Sequence, residues 1–271
     1  MDYLADVKRA IEIVDLGNRS DEYSPLYFST NEPINELFSS VGIEDKEVLT
    51  VLASSDQYFY SCFYNAKSID TFDKNRLTIY YYYLRKWEIE YLDRFYPDKK
   101  MLRNHKHIHE LLQKVKPESE EETDAYQFWD NFIRRSFPFS NSALFYFSNN
   151  TKSTTIEDLN SIKSYMNRHP FSFEVMDIFE PLERDKQYDI IILSNILEYC
   201  GIDKFEACRD NLLRLLRDDG IILCSNVIKP AYPVEKKREL ELFQEVFDYS
   251  SITKGKKEIG YTYQKNSVNK K

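Results

Sequence analysis

Several side chains that could bind a polar ligand stand at the ends of apolar runs in the sequence. They are Asp73, Asp177 and the adjacent pair Ser194 and Asn195. Carboxylate and amide oxygens accept hydrogen bonds from ligand hydroxyl and amino groups. In open sheets of parallel strands, ligands bind outside the carboxyl ends of the strands. The positions of these residues therefore predict a small-molecule site along one edge of a sheet.

The elements that would position these residues alternate between strand and helix patterns. Short apolar runs rich in β-branched residues are typical of buried parallel strands. The predicted strands are Val48–Leu52, Lys67–Phe72, Phe171–Met176, Tyr188–Leu193 and Ile221–Ser225, followed by a hairpin of Phe247–Thr253 and Glu258–Gln264. Helical spacing predicts helices between them, and Gly220 is expected to end the helix Phe205–Leu216.

This alternation predicts an α/β fold with a doubly wound, mostly parallel sheet and an antiparallel C-terminal hairpin. We divide the chain into an N-terminal helical segment (1–45), a Rossmann-like domain (46–265) and a disordered tail (266–271). A helical insertion is expected at 96–165. Asn31 or Glu32, just before Pro33, is expected to start a helix.

Composition narrows the class of protein. The chain has 271 residues and a formal net charge of −8, which disfavours nucleic-acid binding because that binding depends on neutralising phosphates. The four cysteines form no CxxC pair, so neither a metal site nor a disulfide framework is expected. No signal-peptide pattern and no apolar run of about 18 residues are visible, which predicts a cytoplasmic protein without a membrane span.

Five segments together resemble the class I S-adenosylmethionine-dependent methyltransferases in order and spacing. They are VLTVLASSDQ, SIDTFDKN, EVMDIFEPL, YDIIILSNILEYC and RLLRDDGIILCSNV. The resemblance covers roughly residues 46–95 and 170–265, and it implies the class I methyltransferase type of fold. VLASSD and DKNRLTIYYYYLRKW also resemble the betaine-lipid aminocarboxypropyltransferases, which transfer another group of the same cofactor.

The resemblance implies S-adenosylmethionine as cofactor and assigns roles to the polar residues. Asp73, supported by Asn75, would accept both ribose hydroxyls. Asp177 with Ile178 would cap the adenine, the alternative being an ordinary loop aspartate. Ser194 and Asn195 would border the cofactor.

Tyr199 would line the acceptor pocket, although a tyrosine at such a place more often serves packing.

The loop Ala53-Ser54-Ser55-Asp56 occupies the place of the family's glycine-rich cofactor loop. Ser54, Ser55 and Asp56 could hold the amino-acid part of the cofactor, with Asp56 accepting from its ammonium group. The same residues are also favoured as a helix N-cap. Because the loop has no glycine, any position with positive φ would be strained.

Two further clusters invite a functional hypothesis. His105, His107 and His109 alternate, a spacing that fans side chains apart on a helix and favours a solvated polar face over a metal site. The aromatic segment Tyr126–Phe147 could form a lid over an acceptor, but packing explains most of its side chains.

The sequence thus predicts an enzyme, a methyltransferase acting on a small-molecule acceptor. Methyl transfer needs mainly positioning, which agrees with the lack of any recognisable catalytic residue. Aminocarboxypropyl transfer and a non-catalytic binding protein remain alternatives, the second because of the glycine-free loop.

Overall fold

The computed structural model describes most of the chain, with gaps inside the predicted insertion and before the last hairpin. The described residues are 2–20, 22–30, 32–96, 105–136, 144–146, 158–180, 182, 185–199, 202–225, 241, 243–254 and 257–266. The sequence pattern also predicts a helix over Glu235–Val246, of which residues 235–240 and 242 lie outside the described residues, as does the tail after Asn266.

Within the described residues, nine strands form a two-stranded and a seven-stranded sheet. In chain order they are β1 (Leu26–Tyr27), β2 (Glu47–Val51), β3 (Ser68–Asp73), β4 (Phe145–Tyr146), β5 (Ser172–Val175), β6 (Tyr188–Ser194), β7 (Leu216–Cys224), β8 (Phe247–Lys254) and β9 (Lys257–Lys265). The large sheet has the order β5-β3-β2-β6-β7-β9-β8, and β1 pairs with β4 in the small one.

Parallel pairing joins β5, β3, β2, β6 and β7, whereas β9 runs antiparallel to both β7 and β8. The order reverses between β2 and β6, which creates the crevice where such sheets bind ligands. Strand β6 carries three consecutive isoleucines, all almost fully buried, because it lies between two neighbours and is covered on both faces.

The predicted fold, a doubly wound and mostly parallel sheet of the class I methyltransferase type with an antiparallel C-terminal hairpin, is confirmed by this order. All seven predicted strands are present, with bounds that shift by a few residues. One local prediction was wrong: Gly220 does not end a helix but lies inside β7, which begins at Leu216. A Cβ at Gly220 would lie 2.8 Å from Leu216 Cδ1, so close packing is the physical reason for a glycine there.

Eight α-helices and one 3₁₀ turn are present among the described residues. The helices are α1 (Tyr3–Leu16), α2 (Ile34–Val41), α3 (Asp56–Phe63), α4 (Thr78–Leu92), α5 (His105–Leu112), α6 (Glu120–Ser136), α7 (Leu159–Arg168) and α8 (Ile202–Leu215), and the turn spans Ile196–Tyr199. Helices α5, α6 and the start of α7 occupy the predicted insertion. None of the described helices is both long and apolar enough to cross a membrane.

The N-terminal segment is packed into the main core. Val7 and Ala10 of α1 belong to the same buried cluster as Trp129 and Phe132 of α6. Asp6 is buried and accepts hydrogen bonds from Tyr23 Oη at 2.7 Å and from Tyr80 Oη at 2.5 Å. These contacts hold α1 against α4 and α6 and attach to it the segment that contains Tyr23.

Candidate functional site

A cavity of about 740 Å³ opens at the carboxyl edge of the parallel strands. Its lining comes from the ends of β2, β3, β5 and β6 and from the segment that follows α1. Of the predicted site residues, the cavity brings together Ala53, Asp73, Asn75, Asp177, Ile178, Ser194 and Asn195. A cavity of this size at a switch point of strand order is the expected form of a cofactor site.

Asp73 is the last residue of β3 and lines the cavity while 8% exposed. Its Oδ2 accepts from the backbone N–H of Ala53 at 2.9 Å, and its Oδ1 accepts from the N–H of Asn75 at 2.8 Å. Burial is the largest influence on this carboxyl and raises its pKa to about 6, against the lowering effect of the two N–H donors. Each oxygen retains a lone pair that can accept from a ligand.

Asn75 is turned toward the segment that follows α1. Its side-chain amide donates to the Ser24 carbonyl at 3.0 Å, and its Oδ1 accepts from the N–H groups of Ser24 (3.4 Å) and Leu77 (3.2 Å). We name residues 19–32 the strap, of which the structure describes all but positions 21 and 31. Asn75 therefore lines the cavity chiefly by fixing the strap beside Asp73.

Asp177 and Ile178 line the cavity after β5, as does Phe72 from β3. Asp177 Oδ1 accepts from the backbone N–H of Phe179 at 3.1 Å, and its carbonyl accepts from Glu180 N–H, which closes a tight turn. Ile178 and Phe179 are buried. The turn thus presents one carboxylate between apolar side chains, an arrangement suited to a flat base with an exocyclic amine.

Ser194 and Asn195 line the cavity at the end of the central strand β6. Ser194 has φ of +56°, a conformation that costs a non-glycine residue about 1–2 kcal/mol. Its Oγ donates to Glu32, a buried residue of the strap. The side chain of Tyr199 lies outside the described residues, so its predicted role is untested.

Ala53 and Ser55 adopt left-handed backbone conformations, with φ of +43° and +66°. These are conformations for which glycine is the usual residue, so the loop keeps the shape of a glycine-rich one despite its sequence. Ala53 lines the cavity and its N–H is held by Asp73. Ser55 takes the N-cap position of α3 without a side-chain capping bond.

The other three loop residues are turned away from the cavity lining. Ser54, Ser55 and Asp56 are all at most 1% exposed and none lines the cavity. Asp56 forms a fully buried ion pair with Arg85 Nη1 at 2.9 Å. It also accepts from Tyr96 Oη at 2.6 Å and from Thr30 N–H at 2.5 Å.

Sequence reasoning missed the strap as part of the site. Arg19, Ser20, Ser24 and Tyr27 all line the cavity. No periodic pattern marks them, because the strap is neither a helix nor a long strand. Two further basic residues, Lys74 and Lys204, line the cavity beyond the predicted set, and Lys204 pairs with Glu180 at 2.6 Å.

Glu32 was also missed, since its place before Pro33 suggested a helix start. In the structure Pro33 takes the N-cap position of α2, so the predicted start at Asn31 or Glu32 was wrong for Glu32. Asn31 lies outside the described residues. Glu32 instead turns inward to the ends of β6 and β7, because its carboxyl finds three hydrogen-bond donors there.

The histidine cluster does not form a uniform solvated face. His107 is buried and its Nε2 lies 2.5 Å from Glu88 Oε1, so the expected solvated face was wrong for this residue. His109 is exposed, and the side chain of His105 lies outside the described residues. Within the described part of the chain, no group of three or more His, Cys, Asp or Glu side chains could hold a metal ion.

Comparisons with known proteins give similarity at the level of structure. No protein-family model matches the chain, and no curated protein matches its sequence. A TehB-like SAM-dependent methyltransferase from Corynebacterium glutamicum ATCC 13032 Kitasato is similar at 9% identity and a TM-score of 0.45, covering 97% of this chain and 98% of that chain.

The N-methyltransferase NodS from Bradyrhizobium japonicum WM9, in complex with S-adenosyl-l-homocysteine, is similar at 9% identity and a TM-score of 0.40, covering 98% of this chain and 100% of that one. A ribosomal protein L11 methylase from Lactobacillus delbrueckii subsp. bulgaricus is similar at 13% identity and a TM-score of 0.42, covering 89% of this chain and 81% of that chain. The sheet itself is doubly wound, with its order reversed between β2 and β6 and an antiparallel hairpin at its C-terminal edge.

Proposed function

We propose that this protein is an S-adenosylmethionine-dependent transferase, in the simplest case a methyltransferase acting on a small-molecule acceptor. The observation that carries the proposal is the Asp73 carboxyl, which lines a cavity of about 740 Å³ at the switch point of the sheet. A carboxylate in this position accepts both hydroxyls of a ribose in dinucleotide sites, and the same geometry serves S-adenosylmethionine.

The residues present fit the cofactor. Asp73 would hold the ribose, Asp177 with Ile178 would hold the adenine, and the backbone of the loop at Ala53 would face the amino-acid part. The positive φ of Ala53 supports this fit, since it gives the loop the course that a glycine would allow. Ser54, Ser55 and Asp56 support the loop from behind and take no direct part.

When bound, the cofactor supplies an electrophilic carbon attached to a sulfonium. The chain's own contribution is to orient the acceptor, exclude water and take up a proton, and positioning of this kind accounts for much of the barrier reduction in such transfers. Ser194 and Asn195 border the part of the cavity next to the central strand, where we place the acceptor.

Calorimetric titration with S-adenosylmethionine and with S-adenosylhomocysteine tests the proposal. We expect binding in the micromolar range and a loss of well over tenfold in affinity for Asp73→Ala. Asp70→Asn is the matched control, because Asp70 lies on the same strand but contacts Lys186 and Tyr188 outside the cavity. Absence of binding at high micromolar ligand would contradict the proposal and leave a non-catalytic binding protein.

The identity of the spent cofactor separates the two chemistries. S-adenosylhomocysteine would establish methyl transfer, whereas methylthioadenosine would establish aminocarboxypropyl transfer.

A further inference from the structure

Glu32 places a buried carboxyl at the ends of the two strands next to the acceptor part of the cavity. The residue is 5% exposed. Its Oε1 accepts from Ser194 Oγ at the end of β6 and from Ser225 Oγ, which follows β7, at 2.6 Å. Its Oε2 accepts from Gln57 Nε2 of α3 at 3.2 Å. Three elements therefore aim hydrogen-bond donors at one carboxyl.

Of these three donors, only Ser194 lines the cavity. Ser194 thus contacts both the cavity and, through its hydroxyl, Glu32, while its carbonyl accepts from the N–H of Ser225 at 3.0 Å. The strained backbone of Ser194 is held in place by these bonds. Strain of this kind at the end of a central strand is characteristic of functional sites.

The surroundings of Glu32 carry little compensating charge. No Lys or Arg of the described chain forms an ion pair with it. Asp56 of α3 is the nearby acid, and its charge is paired with Arg85. Cys224 of β7 is the remaining titratable neighbour, and burial, followed by the influence of Glu32, raises the pKa of its thiol.

Burial is the largest influence on Glu32 and raises the pKa of its carboxyl, although the three donors act in the opposite direction. A partner for the protonated acid is also at hand. Gln57 Oε1 is buried and has no hydrogen-bond partner among the described atoms. Rotation of the Gln57 amide would turn this oxygen toward Glu32, so the carboxyl has a partner in both protonation states.

We propose that Glu32 is the proton acceptor of the cavity, working through the Ser194 hydroxyl, and that the acceptor substrate bears a dissociable proton on its nucleophilic atom. An alcohol, phenol, thiol or protonated amine has this property. The inference rests on the proposed function and holds for either transferred group.

The proton movement balances without any further reactant. The bond between the acceptor's heteroatom and its hydrogen breaks, and its electron pair stays on the acceptor, which becomes the nucleophile. The proton passes to Ser194 Oγ as the Ser194 hydroxyl proton passes to Glu32 Oε1. Glu32 returns to the carboxylate by the reverse path to solvent after the product has left. Because Glu32 reaches the proton of the substrate only through the Ser194 hydroxyl, it is a positioning residue rather than one that touches the substrate. It holds the proton until the product has left.

Stopped-flow infrared spectroscopy of the unliganded protein tests the path. The stretching band of the protonated Glu32 carboxyl, identified by its loss in Glu32→Gln, shifts when its hydrogen exchanges in D₂O. We expect Ser194→Ala to slow this exchange at least tenfold, because it removes the hydroxyl that connects the carboxyl to the cavity. Ser225→Ala is the matched control, since it removes an equivalent bond on the side away from the cavity lining, and should leave the rate within twofold.

Equal slowing in both serine variants, or no slowing in Ser194→Ala, would overturn the proposal. Calorimetry with S-adenosylmethionine is recorded in parallel on the parent and on Ser225→Ala, which lies outside the cavity lining, and the two affinities should agree within threefold. Loss of cofactor binding by the parent itself would instead contradict the proposed function. With an acceptor that turns over, Glu32→Gln should lower kcat at least tenfold and remove the rise of rate with pH.

Discussion

Asp56 and Asp73 follow the first two strands of the parallel sheet, yet they serve different regions of the molecule. Asp56 lies behind the loop, fully buried, and its lone pairs are taken by Arg85, Tyr96, Thr30 and Ser54. Asp73 lies at the cavity and accepts two backbone N–H bonds. The difference teaches that a carboxylate after a strand becomes a ligand-binding group only when its remaining lone pairs face open space.

The region behind the loop should tolerate substitution least. We expect Asp56→Ala to lower the free energy of unfolding by about 3–5 kcal/mol, because it leaves the Arg85 guanidinium buried without its counter-ion. Urea unfolding measures the change. Arg85 also lies over the rings of Phe95 and Tyr96, so its own position should be disturbed.

Glu12→Ala is the control for this ion pair. It breaks the exposed pair of Arg9 and Glu12, and should cost less than about 1 kcal/mol. Similar small losses in both variants would show that the buried pair of Asp56 and Arg85 stabilises the fold no more than an exposed pair does.

On the cavity side, the free energy of unfolding should depend on pH through Asp73. Burial raises the pKa of Asp73 to about 6, against roughly 3.9 for an unfolded aspartate. The folded chain therefore binds more protons between these values, and its free energy of unfolding falls as pH rises from about 4 to 6, by about 3 kcal/mol from this group.

Asp73→Asn should remove this contribution. The difference in unfolding free energy between variant and parent is expected to shift in favour of the variant as pH rises through that window. Urea unfolding at pH 4, 5, 6 and 7 measures it. A difference that is independent of pH would show that Asp73 keeps an ordinary pKa in the fold.

The smallest effect on the free energy of unfolding is expected at Ala53, which lies between the buried surroundings of Asp56 and the cavity. Ala53→Gly should raise the free energy of unfolding by up to about 1 kcal/mol, because glycine adopts the positive φ of this position without strain. Ala5→Gly in the exposed part of α1 provides the contrast and should cost about 0.5–1 kcal/mol. A loss of stability in Ala53→Gly equal to that in Ala5→Gly would mean that the loop stores no strain.

The sequence was informative where local patterns decide the structure. The β-branched runs predicted the strands, and the strand ends predicted that Asp73, Asp177 and Ser194 would meet at one cavity. The local sequence does not distinguish Asp56 from Asp73. Asp56 is buried because it pairs with the distant Arg85, whereas Asp73 can bind a ligand because it lines the cavity. The prediction for Asp56 as a direct ligand is therefore the one that the geometry supports least.

The strap escaped prediction for a related reason. Its residues are held by a few hydrogen bonds to distant elements, such as those of Ser24 with Asn75 and of Glu32 with Ser194. A bond of this kind leaves no periodic trace in the sequence. In addition, the position of Glu32 before Pro33 predicted a capping role. In the structure its side chain instead points inward, because it accepts hydrogen bonds from Ser194, Ser225 and Gln57.

The attachment of the strap has a consequence for how the protein folds. Glu32 bonds to residues 162 and 193 positions further along the chain. Closing loops of that length is slow, and it cannot begin on the ribosome until β6 and β7 have been synthesised. The strap can therefore bond to Asp56 and Asn75 early, whereas its bonds through Glu32 to Ser194 and Ser225 form only after β6 and β7 are in place.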